Sequence, residues 1–262
     1  MSKHERWNAL LELLAVSGKV EVEEAATTLE VSAATIRRDL DELAEQRLLV
    51  RTRGGAVAHG VSYELPLRYK SARHASEKQR IAAATADLVT PGEVVGLNGG
   101  TTTTEVARSL ALRFSSGRQE GSGPALTVVT NALNIAGELA VRPQIKLVTT
   151  GGVARPQTYE LVGPLTVGVL SEVVLDVVIL GVDGVDAELG IMAHHEDEAS
   201  ISRLFAERSS RVVVVTDSSK LGRRAFARIC GLDRVDLVVT DTGISAEAME
   251  QLHEAGVKVL TV

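Results

Sequence analysis

Sulfur and aromatic residues are scarce in this sequence. Of 262 residues one is cysteine, and aromatics make up 3%. The single cysteine, Cys230, excludes an internal disulfide and fits a reducing compartment. Long apolar runs are missing too. The run 173–180 is broken by Asp176, so nothing approaches the roughly 20 apolar residues of a bilayer-crossing helix. The apolar stretch Ala9–Val16 contains Glu12 and lacks a following cleavage pattern, which argues against a secretory leader. Nor is there a basic excess: 28 Lys+Arg stand against 34 Asp+Glu, a net charge of −6. Residues 1–75 hold 11 basic and 11 acidic residues, and residues 76–262 hold 17 and 23. That balance excludes a chain that coats nucleic acid along its length, while the N-terminal part escapes the acidic bias. The expectation is a soluble, cytoplasmic protein with no membrane partner.

The length suggests one large or two small domains, and 45% apolar residues are ordinary for a globular core. The most informative stretch is Val94–Leu110, VVGLNGGTTTTEVARSL. An apolar run ends in Asn98-Gly99-Gly100, and Thr101, Thr102 and Thr103 open a helical pattern. Strand, glycine turn and helix N-terminus suit a phosphate or another compact anion, because free N–H groups and the helix dipole converge there. Thr102 with Glu105 fits a capping box. The alternative is a well-capped βα turn with no ligand. The spacing is neither GxGxxG nor a P-loop, which would carry a lysine.

In the first sixty residues Trp7, Leu10, Leu11 and Leu14 share helical spacing, and Ser17-Gly18 closes that helix. Val20 and Val22 lead into a second helix, Glu21–Leu29. Glu30-Val31 turns, and Ser32 caps a third helix running to about Gln46. Ile36, Leu40 and Leu43 face inward on it; Ala34, Thr35 and Arg38 face outward, with Arg37 at the flank and Glu42 and Glu45 further along. Only its N-terminal end can enter a DNA groove, as a recognition helix does. Leu48–Ala58 reads as a hairpin about Gly54-Gly55, with Arg51 and Arg53 on one face of its first arm. Together these make a winged helix-turn-helix over residues 1–58, with Ser32, Ala34, Thr35, Arg37, Arg38, Arg51 and Arg53 as its DNA-contacting set. The plainer alternative is a three-helix core with ordinary surface arginines.

The run Ser32-Ala33-Ala34-Thr35-Ile36-Arg37-Arg38-Asp39-Leu40 resembles the recognition-helix signature of the DeoR family of bacterial transcriptional regulators. Val50–Ala56 resembles the family's wing, with Arg53 standing where members often have histidine.

Residues 59–76 read as a linker that packs on something through Tyr63 and Tyr69, and Arg113–Pro124 as a surface loop. Residues 77–262 alternate helix and strand. Seven strands are expected at Val94–Leu97, Leu126–Thr130, Lys146–Thr149, Val177–Leu180, Arg211–Thr216, Leu237–Thr240 and Lys258–Leu260. β-Branched strands between helices predict a mostly parallel α/β domain, whose ligands bind beyond the strand ends. Those ends supply the candidate effector set: Asn98, Gly99, Gly100, Thr101, Thr102, Thr103, Asn131, Gly151, Gly152, Asp183, Gly184 and Lys220. Taken singly, Gly151-Gly152 reads as a turn. The motifs GGTTT at 99–103, TN at 130–131, TGG at 150–152, LGVDGVD at 180–186 and DSSKLG at 217–222 are similar to the DeoR sensor domain. That resemblance implies a fold shared with ribose-5-phosphate isomerase and CoA transferases, and a phosphorylated sugar as effector. Asn98 stands where members often have aspartate.

His194 and His195 beside Glu196, Asp197 and Glu198 raise a metal site; a loop leading into a helix is the favoured reading. Cys230 is expected in a helical or loop stretch as a small buried residue. No cofactor and no metal are expected. The favoured function is a ligand-responsive repressor of carbohydrate genes, acting on operator DNA as a dimer or tetramer. The alternative is an isomerase-like enzyme with an N-terminal appendage, using Asp183, Asp186 and Lys220 as acid and base.

Overall fold

A computed structural model describes residues 1–46, 48–57, 67–70, 73–115 and 123–262. The chain divides into two compact units, Met1–Arg73 and His74–Val262.

The first unit begins with α1 (Lys3–Ser17), opened by a capping box between Ser2 and Glu5 and closed by Gly18 at φ +73°. Strand β1 (Lys19–Glu21) and helix α2 (Val22–Thr28) follow, and Glu30, at φ 53°, turns the chain into α3 (Ala33–Glu45). Strands β2 (Val50–Arg51) and β3 (Gly55–Val57) precede the short α4 (Leu67–Lys70). The faces anticipated from spacing are the ones buried: Trp7, Leu10, Leu11 and Leu14 meet Ile36, Leu40 and Leu43 in one core. The wing is larger than anticipated. It is a three-stranded antiparallel sheet of order β1-β3-β2, because residues 19–21 pair with β3 instead of merely leading into a helix. Gly55 permits this: a Cβ there would lie 1.8 Å from the Val20 carbonyl oxygen.

A buried polar tie, unforeseen from the sequence, joins α1 to α3. Asp39 is 2% exposed. It accepts from both Arg6 Nε and Arg6 NH2 and, at 2.9 Å, from Trp7 Nε1. The bond to Asp39 raises the Arg6 pKa above its ordinary value. Trp7 is therefore core and also a donor, which a buried indole N–H requires.

The second unit runs α5 (Ala75–Asp87), β4 (Val94–Leu97), α6 (Thr101–Arg113), β5 (Leu126–Thr130), α7 (Leu133–Leu139) and β6 (Ile145–Thr149). Then come β7 (Val153–Ala154), β8 (Leu161–Val162), α8 (Pro164–Ser171), β9 (Val177–Gly181), β10 (Gly184–Asp186), β11 (Gly190–Ala193) and α9 (Glu196–Glu207). It ends with β12 (Val212–Val215), β13 (Ala227–Cys230), β14 (Leu237–Thr240), α10 (Ala246–Glu254) and β15 (Lys258–Thr261). All seven anticipated strands enter one sheet of order β15-β14-β12-β9-β4-β5-β6, parallel throughout. Alternation sorts its side chains. Val95, Leu97, Val177, Ile179, Val213 and Val215 share a layer with α5 and α6; Val178, Leu180, Val212 and Val214 share the other with Leu170, Phe205 and Leu252. Gly96 leaves room for Phe205, whose ring would lie 3.0 Å from a Cβ there.

Three readings need correction. Arg113 closes α6 and does not open a loop, since its guanidinium donates to the Ala86 and Val89 carbonyls. Cys230 lies on a strand, in the antiparallel sheet β10-β11-β13. Of the anticipated linker, residues 67–70 are helical and α5 begins at Ala75. Residues 59–66, 71, 72 and 116–122 of the linker and loop, Tyr63 included, lie outside the described residues, as does the Tyr69 side chain.

Removing Asp39 strands a largely covered guanidinium and a buried indole N–H. Asp39→Ala should destabilise the first unit by about 3 kcal/mol, whereas Glu42→Ala, which breaks only the exposed pair with Lys3, should cost under about 1 kcal/mol. Trp7 is the only tryptophan, so its fluorescence during urea unfolding reads this unit alone; equal midpoints for both variants would contradict the assignment.

Candidate functional site

Ser32 caps α3 as anticipated. Its Oγ accepts from the Thr35 N–H at 3.2 Å and lies 2.9 Å from the Thr35 hydroxyl. Ala34, Arg37 and Arg38 are exposed and Thr35 is half-buried. The four arginines divide into two kinds. Arg37 pairs with Glu23 of α2 at 2.9 Å; Arg51 pairs with Asp41 of α3 at 2.7 Å and also donates to the Gly55 carbonyl. Arg38 and Arg53 are exposed and have no partner among the described residues. Arg51 and Arg53 do not share a strand face, because β2 ends at Arg51. Thr52 closes the turn there, its N–H on the Gly55 oxygen at 3.0 Å and its hydroxyl accepting from the Gly55 N–H at 3.1 Å. Arg53 thus stands at the tip of the wing. The Arg37–Glu23 pair is exposed, and such pairs contribute little stability; Arg51 is half-buried.

In the second unit the strand order reverses between β4 and β9: β5 and β6 extend one way, β12, β14 and β15 the other. Such a reversal opens a crevice beyond the strand ends. Asn98 stands at it, 4% exposed. Its Oδ1 accepts from the Gly181 N–H at 2.8 Å, while Nδ2 donates to the Gly181 carbonyl at 2.9 Å and to Ser202 of α9 at 3.1 Å. The amide acts as one more strand peptide, and a carboxylate there could not donate. Asn98 is therefore at the anticipated place but engaged in joining β4 to β9.

Gly100, at φ +126°, is the N-cap of α6, and no side chain caps that helix. The anticipated Thr102–Glu105 capping box is absent. Thr103 and Thr104 donate instead to the Gly100 carbonyl at 3.1 and 2.6 Å, and Glu105 accepts from Arg108 at 2.6 Å. Gly181 abuts this turn: a Cβ on it would lie 3.3 Å from both the Gly99 oxygen and the Thr103 methyl. Asn131, fully buried at the end of β5, donates to Glu160 at 2.9 Å and to the Leu161 carbonyl at 3.1 Å. Gly151 and Gly152, at φ +71° and +125°, carry the chain away from β6; a Cβ on Gly152 would meet the Thr166 hydroxyl at 2.2 Å. Asp183 accepts from the His194 N–H at 2.9 Å. Gly184 lies against the Arg223 carbonyl, 2.5 Å from where its Cβ would be. Lys220, half-buried, ends the 3-10 turn Ser218–Lys220, and the bridge between Val185 and Leu221 lays that turn beside β10.

Sequence reading missed the segment between β7 and β8. Thr158 donates to Glu198 of α9 at 2.5 Å, and Arg155 lies 3.0 Å from the same carboxylate. Glu198 and Ser202 are four apart on α9 and so share the face turned to the strand ends. A segment with no periodic pattern gives no signal in one sequence of what its side chains will bond.

The remaining candidates have other tasks. His195 caps α9, its Nδ1 accepting from the Asp197 N–H at 3.2 Å, which is the loop-into-helix arrangement. Among the described residues no three His, Cys, Asp or Glu side chains gather as metal ligands. Burial pushes the Cys230 thiol up to about 11, so it stays protonated and unreactive. Asp186 accepts from Arg224 at 2.6 Å, and from the N–H groups of Leu189 and Glu188; the Arg224 bond foremost holds its pKa down. A carboxyl so held is unsuited to the acid–base work of the enzymatic alternative.

A winged helix-turn-helix unit followed by a parallel α/β unit whose strand order reverses between β4 and β9 is the arrangement of a two-part DNA-binding regulator. Residues 6–60 match the DeoR-like helix-turn-helix domain, and residues 73–242 match the DeoR C terminal sensor domain. A putative aga operon transcriptional repressor of Escherichia coli O157:H7 is 35% identical over 98% of this chain and 93% of its own length. The glycerol-3-phosphate regulon repressor of Escherichia coli K12 is 34% identical over 97% of each chain. Among solved structures, ribose 5-phosphate isomerase A of Methanocaldococcus jannaschii is 20% identical over 56% of this chain and 54% of that one, with a TM-score of 0.41, too slight a likeness to argue from. The chain belongs to the DeoR family. It is a DNA-binding transcriptional regulator and not an enzyme. No helix among the described residues is long and apolar enough to cross a membrane.

Asp241, 6% exposed after β14, accepts from the Ser218 N–H at 2.7 Å, the Ser218 hydroxyl at 2.9 Å and the Gly243 N–H at 2.8 Å. Burial pushes its pKa up, but these bonds, led by the Ser218 N–H, outweigh burial and hold it below the ordinary aspartate value. A lowered folded pKa gives stability that is present above the unfolded value and is lost as pH falls through the folded one. Asp241→Asn should therefore lower the thermal midpoint near neutral pH, and the gap to wild type should close below pH 3.8. A gap that stays constant into acid would show that the carboxylate charge is not what holds this turn.

Proposed function

We propose that this protein represses carbohydrate-metabolism genes and that a phosphorylated sugar or related intermediate controls its hold on operator DNA. The observation that carries the DNA half is a pair of cations: Arg38 on the outer face of α3 and Arg53 at the wing tip are exposed and have no partner among the described residues. Arg38, with Ala34 and Thr35, reads base edges in the major groove. Ser32 and Arg37 sit at its rim, and Arg51 and Arg53 take phosphates. Residues 1–58 form the DNA-binding domain, 59–76 the linker and 77–262 the sensor. The small wing domain offers little area alone, so we infer a homodimer or homotetramer built by the sensor domain, working in the cytoplasm where operators are.

The effector half rests on the uncapped start of α6 beside a glycine turn. Gly99, Gly100 and Thr101–Thr103 take the phosphate. Asn131, Gly151, Gly152, Asp183, Gly184 and Lys220 surround the sugar, and Asn98 keeps β4 and β9 together beneath it. One relative is named for the glycerol-3-phosphate regulon that it represses, and glycerol 3-phosphate is a compound of this class. Binding acts on DNA affinity through contacts that differ between two states.

For the DNA half, Arg53→Ala should weaken binding to operator and random DNA alike and reduce the salt slope by about 1. Arg38→Ala should narrow the difference between the two DNAs. Salt titrations in a mobility-shift assay check both; an unchanged slope for Arg53→Ala would remove the wing from the interface.

For the effector half, Thr101→Glu should abolish the response to a sugar phosphate while DNA binding survives, since a carboxylate would take the anion's place. Calorimetric titration of both chains decides; equal affinity would place the phosphate elsewhere.

A further inference from the structure

An anion already lies over the glycine turn. Glu160, 5% exposed, packs so closely on Gly99 that a Cβ there would sit 2.3 Å from its Cγ and 2.5 Å from its Oε1. Asn131 holds the other carboxylate oxygen, Oε2, at 2.9 Å. The carboxylate therefore covers the turn from which α6 starts, a helix of thirteen residues with no side-chain cap. A negative charge is favourable there. The Asn131 amide cannot be reversed, because its Nδ2 meets two acceptors, Glu160 and the Leu161 carbonyl. Its Oδ1 is buried with no hydrogen-bond partner among the described residues, an acceptor that a ligand hydroxyl would satisfy. The segment that carries Glu160 is bounded by Gly152 at φ +125° and Gly163 at φ +89°, and such positions absorb backbone rotation.

We propose that Glu160 is a tethered competitor for the effector's anionic group and thereby determines which ligands the sensor accepts. The proposal rests on the reading that the Gly99–Thr103 turn takes a phosphate. A neutral sugar gains nothing by displacing a carboxylate from the turn. A monoanion replaces one charge by another. A phosphate dianion brings more charge and more acceptor oxygens, and it displaces Glu160. The displaced side chain takes the β7–β8 segment with it. Arg155 on that segment is paired with Glu198, so the movement reaches α9. The residue is a charge threshold on the site and links occupancy to a shift of one defined segment.

The test is calorimetry on the full chain, comparing wild type with Glu160→Gln and Glu160→Ala. The probes are inorganic phosphate, glycerol 3-phosphate, fructose 6-phosphate and, as a monoanion, gluconate. Both variants should bind the phosphates about fivefold more tightly than wild type, the effect of removing one nearby like charge in water, and should begin to bind gluconate. Phosphate binding by the variants alone would support the proposal further. Variants that melt with wild type yet bind phosphates equally or more weakly would overturn it and leave the phosphate site standing. If no phosphate compound binds any of the three chains, the phosphate reading of the turn falls and this proposal with it. Hydrogen exchange gives a second measure: amides of residues 152–163 should exchange faster when glycerol 3-phosphate binds wild type, and unchanged exchange would contradict the displacement.

Discussion

The sensor unit depends on one side chain, the amide of Asn98. Where the strand order reverses, β4 and β9 run side by side and the chain leaves them in opposite directions. The regular register ends at Leu97 opposite Ile179. Past that point the N–H and the carbonyl of Gly181 face β4 with no strand peptide opposite them, and unsatisfied buried backbone groups are costly. Asn98 supplies an acceptor to one and a donor to the other, and its second hydrogen reaches Ser202 on α9. The glycine turn, the start of α6 and the end of β9 hold their positions because this one amide bridges the two strands. A glycine turn with no side-chain cap on the helix that follows it has few internal bonds of its own, and this brace holds it in place.

The DNA-binding unit uses the same device with charge added. Asp39 sits inside α3 and takes three donors from α1, so the inner face of the recognition helix is fixed by a directional contact as well as by apolar packing. Apolar packing alone would allow α3 to roll about its axis; a bidentate guanidinium and an indole N–H on one carboxylate do not. The outer face can then carry arginines whose exposed partners are weak. The ion pairs differ in depth: that of Arg6 and Asp39 lies largely inside, that of Arg51 and Asp41 is half-buried, and that of Arg37 and Glu23 is exposed.

The polar layer across the strand ends joins distant pieces of chain. Glu160 touches Gly99 and accepts from Asn131, and Glu198 pairs with Arg155 and Thr158. Buried charges of this kind are costly unless each is held by donors, and both acids are held. The irregular segment between β7 and β8 is thereby tied both to the glycine turn before α6 and to α9.

Periodicity and local chemistry determined much of this protein by themselves. The seven parallel strands, the amphipathic faces of α1 and α3, the Ser32 cap and the glycine turn before α6 could all be read directly. Each depends on neighbours in sequence: a 3.6-residue or two-residue repeat, or a side chain bonding a backbone group three residues on. Tertiary structure alone decided the rest. It drew Lys19–Glu21 into the wing as a third strand, because only the folded hairpin shows that Gly55 leaves room for the Val20 carbonyl. It turned Trp7 and Asp39, 32 residues apart, into one bond. It engaged Asn98, and it brought Glu160 over Gly99 from 61 positions along the chain. A single sequence carries no trace of such pairings, because the energy of a buried hydrogen bond depends on which groups the fold brings within 3 Å of each other, and that is settled only when the sheet and its covering helices close.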